Sequence, residues 1–416
     1  MYRLRDAGYR AYLVGGGVRD LMLGRTPKDF DISTDAHPGE LRKLFRNSRI
    51  IGKRFRLVQV FYHGGKIIEV STFRCRSEFE ENDADETVLA QNNTFGTPAE
   101  DAFRRDLTIN ALFYEIEHFT VIDYTGGVQD LENRIVRMVG EPERRIIHDP
   151  VRMLRAIRHA ARQGFAVEPE TWAAIRANVD RLALCPVSRI RDEFMRDLRS
   201  GAMREWAKLA LASTIFFAVF PCYEQIVPGG EDPSFYDQAE SQGNETLALL
   251  FRVLDLVDRF YREETVVGDE MLFALLLLPW TLAEFDPLKR REQKGGEGYR
   301  FTRRLREALD ANLEHLGIKR ASKEEITLLL ANLPLFAQHE KGDEWPRWFA
   351  KKSYFQPGLT FYGLYQTVVA GAPPPEIESP PPAPPRTKRR RGNGHRRGPR
   401  TAAFATTKGG IFGLKK

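Results

Sequence analysis

Cysteine is scarce in this sequence. The 416 residues contain three cysteines, Cys75, Cys185 and Cys222, an odd number spread along the chain. This pattern excludes a disulfide framework and a zinc cluster, and the eight histidines show no metal-binding spacing either. We therefore expect a protein of the reducing cytoplasm.

Long hydrophobic runs are also missing. The longest apolar stretches, residues 209–220 and 272–280, are shorter than the roughly 20 residues that a membrane-spanning helix needs. The amino end, MYRLRD, lacks the apolar segment of a signal peptide. We expect no membrane as a partner.

Acidic residues are absent from one region. Residues 380–416 contain 11 Lys and Arg and no Asp or Glu, whereas the rest of the chain carries 52 basic and 57 acidic residues. Prolines from residue 373 onward predict a semi-rigid spacer. Residues 386–400 hold eight Lys and Arg, which is typical of a disordered arm that neutralises phosphates. A tail that only adds solubility is the alternative.

Residues 12–33, YLVGGGVRDLMLGRTPKDFDIS, hold the densest chemical pattern. A short apolar strand at 12–14 leads into three glycines at 15–17, and a helix is predicted to open at 18–20. Glycines let backbone N–H groups approach an anion closely, and the N-terminus of the helix adds positive potential. The pattern favours a phosphate site, although a glycine triplet alone also fits an ordinary turn.

A pair of aspartates ends this segment. If Asp29 and Asp31 lie on one strand, their side chains face the same side, and Phe30 points into the core. Two carboxylates on one face can hold two Mg²⁺ ions about 3.5–4 Å apart, as nucleotidyl transfer requires. An isolated Asp-x-Asp is more often a solvated surface. Joined to the glycine turn, the pair indicates a nucleotide site.

Two later features have open interpretations. A return strand at 67–72 carries Glu69, which could reach the metals if this strand lies beside the aspartates, or could form a structural ion pair. The basic stretch at 50–57 fits either a solvated rim or contacts to triphosphate or RNA.

Arg104, Arg105 and Asp106 precede an apolar segment at 107–113. Asp106 can cap a helix that starts there. It can also act as a third carboxylate that accepts the proton of an attacking hydroxyl, while the arginines contact ribose or phosphate. Spacing alone leaves both interpretations open.

A further candidate site lies at 148–162, HDPVRMLRAIRHAAR. Asp149 is predicted to cap a helix whose first residue is Pro150. Arg152 follows three residues later, so both side chains can lie near one helix end and hydrogen-bond the Watson–Crick edge of a base. A capped amphipathic helix with solvated arginines is the alternative.

The sequence from 169 to about 371 shows helical periodicity without recognisable chemistry. The Trp and Tyr residues between 345 and 365 are predicted to be core aromatics and not a base-stacking platform.

Taken together, three segments give the chain a family resemblance. GGGVRD with DFD (15–31), RRDLTINA (104–111) and DPVRMLRA (149–156) resemble the class II template-independent nucleotidyltransferases, which include poly(A) polymerases and CCA-adding enzymes. The segment at 50–57 and the basic tail are similar to the polyadenylating branch. The motif departs from the family at His148, where a glutamate is usual.

The resemblance implies roles for nine residues. These are metal binding by Asp29 and Asp31, with Asp106 as third catalytic carboxylate; triphosphate contacts from Gly15, Gly16 and Arg19; a ribose contact near Arg105; and base contacts from Asp149 and Arg152.

It also implies an α+β architecture. The expected order is a nucleotidyltransferase head with a small mixed β-sheet (1–140), a helical neck (141–210), a helical body (211–370) and a proline-rich linker with a disordered basic RNA-binding tail (371–416). The implied reaction adds AMP from ATP to RNA 3′ ends with two Mg²⁺ ions. The expected protein is a monomer with RNA-decay partners. CCA addition to tRNA and a catalytically silent RNA-binding protein are the alternatives.

Overall fold

The amino-terminal part of the chain forms a seven-stranded sheet in the computed structural model. The structure describes residues 1–52, 56–75, 95–288, 296–340 and 345–377. The strands of this sheet are β1 (Ala11–Val14), β2 (Asp31–Thr34), β3 (Ser48–Ile51), β4 (Leu57–Phe61), β5 (Ile67–Thr72), β6 (Leu112–Glu115) and β7 (Thr120–Asp123).

The sheet is mixed, as predicted. Its order is β3-β4-β5-β2-β1-β6-β7, and β2 runs parallel to β5 while the other neighbours are antiparallel. Alternate apolar residues such as Val58 and Val60 are buried on one face, which fixes the register. Val14 at the end of β1 pairs with Asp31 at the start of β2. The glycine turn and the aspartate therefore lie at the same end of the two central strands.

Short helices surround the sheet: α1 (Tyr2–Asp6), α2 (Gly16–Met22), α3 (Pro38–Leu44), α4 (Pro98–Arg104) and α5 (Gly127–Glu132). Helix α4 begins with a capping box, in which the Thr97 hydroxyl accepts from the Glu100 amide and the Glu100 carboxylate accepts from the Thr97 amide. The capping box fixes the start of α4 at Pro98, and the helix ends at Arg104.

Helices dominate the rest of the chain, as expected. They are α6 (Pro142–His148), α7 (Arg152–Gln163), α8 (Pro169–Ala177), α9 (Val187–Leu198), α10 (Met203–Ala212), α11 (Ile215–Val219), α12 (Phe235–Ser241), α13 (Glu245–Arg262), α14 (Asp269–Phe285), α15 (Gly296–Asn312), α16 (Arg320–His339), α17 (Arg347–Ala350) and α18 (Phe355–Ala370). A two-stranded parallel ladder of β8 (Ile135–Val136) and β9 (Ala166–Val167) joins the two parts.

One hydrophobic core continues from the sheet into the helices, from Leu13 to Val368. Trp345 packs on Phe336 at 5.6 Å between ring centroids, and Tyr362 is buried, so the prediction of core aromatics is confirmed for these residues. It is wrong for Trp348, which is 56% exposed at the end of the helical part.

Residues Met1–Glu378 form one compact unit. The predicted domain borders at 140, 210 and 370 stay predictions. The hydrophobic core continues across the first two of them. The predicted basic tail lies outside the described residues, as does part of the basic stretch at 50–57. Among the helices that the structure describes, none has both the length and the apolar character needed to cross a bilayer.

Candidate active site

A cleft of about 410 Å³ opens where the sheet meets α2 and α7. Of the nine residues predicted from the motifs, eight line it, and Asp29 does not. The full lining comprises Gly15, Gly16, Arg19, Asp31, Arg104, Arg105, Asp106, Asn110, Asp149, Arg152, Arg155 and His159. Three segments that lie far apart in the sequence thus contribute to one site.

The glycine turn lies close to two arginine side chains. Gly15 has a φ of +71°, and a Cβ there would lie 3.2 Å from Nη1 of Arg105. A Cβ on Gly16 would lie 3.4 Å from Nη2 of Arg19. Glycine is therefore needed at Gly15 for both its backbone conformation and the space that it leaves to the arginine.

The acidic residues differ in part from the prediction. Strand β2 begins at Asp31, so Asp29 and Phe30 precede it, and Phe30 is 42% exposed instead of buried in the core. The strand argument for a shared face of Asp29 and Asp31 was therefore wrong. The parallel register instead puts Glu69 of β5 directly opposite Asp31.

The carboxyl group of Asp31 is harder to ionise than usual. Although Asp31 is exposed as a residue, loss of hydration in the cleft raises the pKa of its carboxyl group. The charges of Glu69 and Asp29 raise this pKa further, and Arg105 opposes them. Glu69 also accepts a hydrogen bond from Nε2 of Gln59 at 3.0 Å. The end of the sheet therefore concentrates negative charge that a cation would relieve.

Asp106 is held differently. Its Oδ2 lies 2.7 Å from both Nε and Nη2 of Arg155, and its Oδ1 accepts from the Leu107 amide at 2.9 Å. Burial alone would raise the pKa of Asp106, but the charge of Arg155 chiefly, together with the hydrogen bond from the Leu107 amide, holds it well below its usual range. Asp106 stays ionised and is a weak proton acceptor. It caps no α-helix, because a 3₁₀ turn at Thr108–Asn110 follows it.

Arg105 is fixed from three sides. Its guanidinium donates to Asp101 Oδ2 at 2.9 Å, to Ser33 Oγ at 3.3 Å and to the Asn110 carbonyl at 3.3 Å. Arg145 of α6 donates to the Arg105 carbonyl and so clamps the backbone from behind. Arg105 is pre-oriented toward the cleft rather than free in solvent.

Arg19 is almost fully buried, with 4% of its surface exposed. It donates to Oδ1 of Asn110 at 2.6 Å and to Oδ1 of Asp20 at 2.7 Å. Nδ1 of His159 lies 3.3 Å from Nη1 of Arg19. Burial and the charge of Arg19 lower the pKa of His159 to about 3, so its imidazole is neutral. An uncharged ring can stay beside the guanidinium.

Helix α7 presents one polar face to the cleft. Arg152, Arg155 and His159 follow the i, i+3, i+7 spacing of a helical stripe. Met153 and Ile157 on another face are buried in the core. The same helix therefore anchors the site and supplies three of its side chains.

The predicted helix start at Asp149 was wrong. Helix α6 ends with Asp149 as its C-terminal cap, and α7 begins at Arg152 with Val151 as its N-cap. Asp149 nevertheless lies near Arg152, with Oδ2 3.8 Å from Nε. Arg189 of α9 binds both oxygens of Asp149 at 2.9 Å.

Several site residues were missed from the sequence. Arg189 donates to the carboxylate of Asp149, whereas His148, at which the motif departs from the family, is exposed. The stripe of α7 was visible as a helical pattern, but nothing local in the sequence pointed to Arg189, 40 residues from Asp149.

Comparison with known proteins defines the class. Residues 11–137 match the poly A polymerase head domain, and residues 164–226 match the probable RNA and SrmB-binding site of polymerase A. These matches, and the curated relatives below, are consistent with the class II nucleotidyltransferase family of poly(A) polymerases and CCA-adding enzymes, which the motifs predicted.

Within that family, several curated relatives are poly(A) polymerase I. That of Salmonella typhi is 42% identical over 282 residues, which are 66% of this chain and 58% of the relative. That of Escherichia coli O157:H7 is 48% identical over 227 residues, which are 53% of this chain and 49% of the relative. The CCA-adding enzyme of Lactobacillus helveticus is 43% identical over 194 residues, which are 46% and 47%. The chain thus spans about half the length of these relatives.

The fold agrees with a solved structure of the family. The Bacillus stearothermophilus CCA-adding enzyme in complex with CTP has a TM-score of 0.61 and 26% identity, over 90% of this chain and 77% of that one. The predicted α+β head followed by helices is therefore confirmed.

Proposed function

We propose that this chain is a polynucleotide adenylyltransferase, which adds AMP from ATP to the 3′ hydroxyl of RNA without a template and releases pyrophosphate. The observation that carries this proposal is the cleft that joins the glycine turn, the carboxylates and the pair Asp149–Arg152. The identity to poly(A) polymerase I relatives supports adenylate addition.

Asp29 and Asp31 are proposed to hold two Mg²⁺ ions. The donor set fits, because carboxylate oxygens are the ligands that Mg²⁺ prefers and the register places Glu69 opposite Asp31. Glu69 is a further candidate ligand through its register with Asp31. When bound, the ions supply polarisation of the phosphoryl oxygens and lower the pKa of the attacking hydroxyl.

The triphosphate is proposed to lie against Gly15, Gly16 and Arg19, with the ribose near Arg105. Arg19 and Arg105 are already held by Asn110 and Asp101, so little side-chain freedom is lost when they bind an anion. Asp106 remains the third carboxylate of the site. Its low pKa makes it suited to positioning Arg155 by charge, and poorly suited to accepting a proton.

The base is proposed to be read by Asp149 and Arg152. A carboxylate accepts and a guanidinium donates, so the pair can match the edge of one base and reject another. Arg189 holds the carboxylate in place. Selection of ATP would then need no nucleic-acid template.

The second candidate is CCA addition to tRNA, which the likeness to the Lactobacillus and Bacillus enzymes favours. The test incubates the protein with Mg²⁺ and either an unstructured RNA or a tRNA lacking its 3′ end, plus ATP or CTP. Long adenylate tracts on both RNAs are expected. Addition of CMP followed by a halt, on the tRNA alone, would replace this proposal by the alternative. No incorporation with either nucleotide would favour a catalytically silent RNA-binding protein.

A further inference from the structure

A second cavity of about 520 Å³ lies beside the segment that carries the aspartates. It is bounded by Lys28, by the end of α9 and by the connection from α13 to α14. Its floor is apolar and buried, formed by Leu198, Val257, Phe260, Val267 and Leu272. The cavity is large enough for a nucleobase and mostly apolar, as ligand sites are.

The position of this cavity relative to the nucleotide cleft is informative. Asp31 lines the nucleotide cleft, whereas Lys28, three residues earlier, lines the second cavity. Four residues span at most roughly 14 Å. An in-line displacement brings the attacking oxygen to the side opposite the leaving group. The acceptor strand must therefore approach the metal-binding segment from another side than the triphosphate.

The rim of the cavity is cationic. Lys28, Arg199 and Arg262 line it, against one acid, Glu264. Arg199 pairs with Asp269 and also lines a larger neighbouring cavity of about 740 Å³. The rim can therefore neutralise backbone phosphates, and the shared Arg199 connects it to further space.

Tyr261 gives the cavity an aromatic wall. Its ring is seated against Gly201, whose φ is +74° and where a Cβ would lie 2.3 Å from Cδ1 of the ring. The Lys28 ammonium lies 4.7 Å from the ring centroid and hydrogen-bonds the hydroxyl. The ring is fixed, whereas the exposed lysine over it has a long flexible side chain.

We propose that this cavity binds a base of the single-stranded RNA acceptor, stacked on Tyr261, with the flanking phosphates against Lys28, Arg199 and Arg262. The base takes the position of the lysine ammonium, which turns from the ring to a phosphate. This inference rests on the proposed function, since it assigns the acceptor strand of that reaction.

The test measures binding of a fluorescein-labelled oligoadenylate to the full chain by anisotropy, and the KM values for RNA and ATP. Tyr261→Leu is expected to weaken RNA binding and raise the KM for RNA about tenfold, because base–aromatic stacking contributes ~1–3 kcal/mol per base. The KM for ATP stays within twofold. Tyr261→Phe, which keeps the ring, restores most of the lost affinity. Tyr299→Leu on α15, where the tyrosine is 73% exposed, is the matched control.

A second arm locates the base. A series of oligoadenylates carries one abasic residue at successive positions from the 3′ end. At one position, the abasic residue is expected to lower the RNA affinity of wild type about tenfold. The affinity of Tyr261→Leu for that same RNA should not fall further. Equal RNA affinity of wild type and the leucine variant would overturn the inference, as would a change in oligomeric state instead of RNA affinity. A protein that binds RNA through Tyr261 but adds no nucleotide would refute the proposed reaction and leave this subsite standing.

Discussion

The proposed triphosphate side of the cleft and its proposed base-reading side differ in how their side chains are held. Gly15, Arg19 and Asp31 lie within 17 consecutive residues, at the turn after β1, on α2 and at the start of β2. Asp149 and Arg152 also lie close in sequence, but Asp149 is fixed by Arg189 of another helix. The first side is largely defined by local chain geometry, whereas the second depends on helix packing.

This comparison predicts different consequences of mutation. Loss of a group on the triphosphate side should abolish nucleotide addition, whichever nucleotide is supplied. Loss of a group that positions the base-reading side chains should leave the rate of addition largely unchanged and weaken the preference for ATP over CTP. Groups that connect the two sides should show their effect in stability rather than in turnover.

The largest effect is expected from Asp31→Asn. If Asp31 holds metal as proposed, loss of its carboxylate should lower kcat at least about 10³-fold, since metal charge stabilisation contributes several kcal/mol. The measurement is single-turnover extension of an unstructured RNA with ATP. Asp35→Asn, which removes a carboxylate paired with Arg10 outside the cleft, is the control and should retain activity. Retention of more than a tenth of the activity by Asp31→Asn would contradict the metal assignment.

An intermediate effect is expected from Arg189→Gln. The guanidinium braces Asp149 through two contacts of 2.9 Å, but it is half exposed, so we expect a loss of about 1–2 kcal/mol. The KM for ATP should rise about tenfold and the preference for ATP over CTP should fall, with kcat at saturation little changed. Arg176→Gln, which breaks a surface pair with Glu231, is the control. An unaltered ATP preference would show that Asp149 is placed without Arg189.

The smallest effect on turnover is expected at His159 of α7, which lies against Arg19 and whose titration acts on stability. Its pKa in the folded protein is about 3, against 6.5 ordinarily, so the unfolded chain takes up a proton below pH 6.5 that the folded protein refuses. The stability of the protein at pH 7 is therefore partly lost as the pH falls to 5, by about 1–2 kcal/mol. His159→Gln should remove this loss in urea unfolding curves.

Two comparisons control that measurement. Burial raises the pKa of Asp197 to about 7, so its protonation increases stability as the pH falls from 7 to 5. This is opposite to the effect of His159, so the variant is judged by its difference from wild type. His118 is exposed and its pKa is raised by Glu115, so His118→Gln should leave the pH slope unchanged or steepen it slightly. Parallel curves for wild type and His159→Gln would refute the assignment of a neutral imidazole.

Much of the site was accessible from sequence because its motifs are short and rich in Gly, Asp and Arg. The residues named from these motifs all line the cleft, apart from Asp29. Local detail was less secure. Phe30 was expected in the core by strand alternation, but β2 begins one residue later, and alternation has no meaning before a strand begins.

The capping predictions failed for a related reason. Asp149 and Pro150 match the pattern of a helix start, yet α6 runs into Asp149 from the other direction. The sequence pattern indicates a helix end near Asp149, and in the structure the end of α6 and the start of α7 both lie there. Asp106 likewise precedes a 3₁₀ turn and strand β6, and Leu107, Ile109, Leu112 and Phe113 are apolar because they are buried in the core.

By itself, the sequence determined the family, the glycine turn with its aspartates, and the succession of sheet and helices, because these follow from backbone preferences and periodicity within short windows. Only the tertiary structure decided which groups meet in and around the two cavities: Glu69 beside Asp31, Arg155 on Asp106, Arg189 on Asp149 and Tyr261 against Lys28. These contacts join residues between 38 and 233 positions apart, through strand register and helix packing that no local pattern encodes.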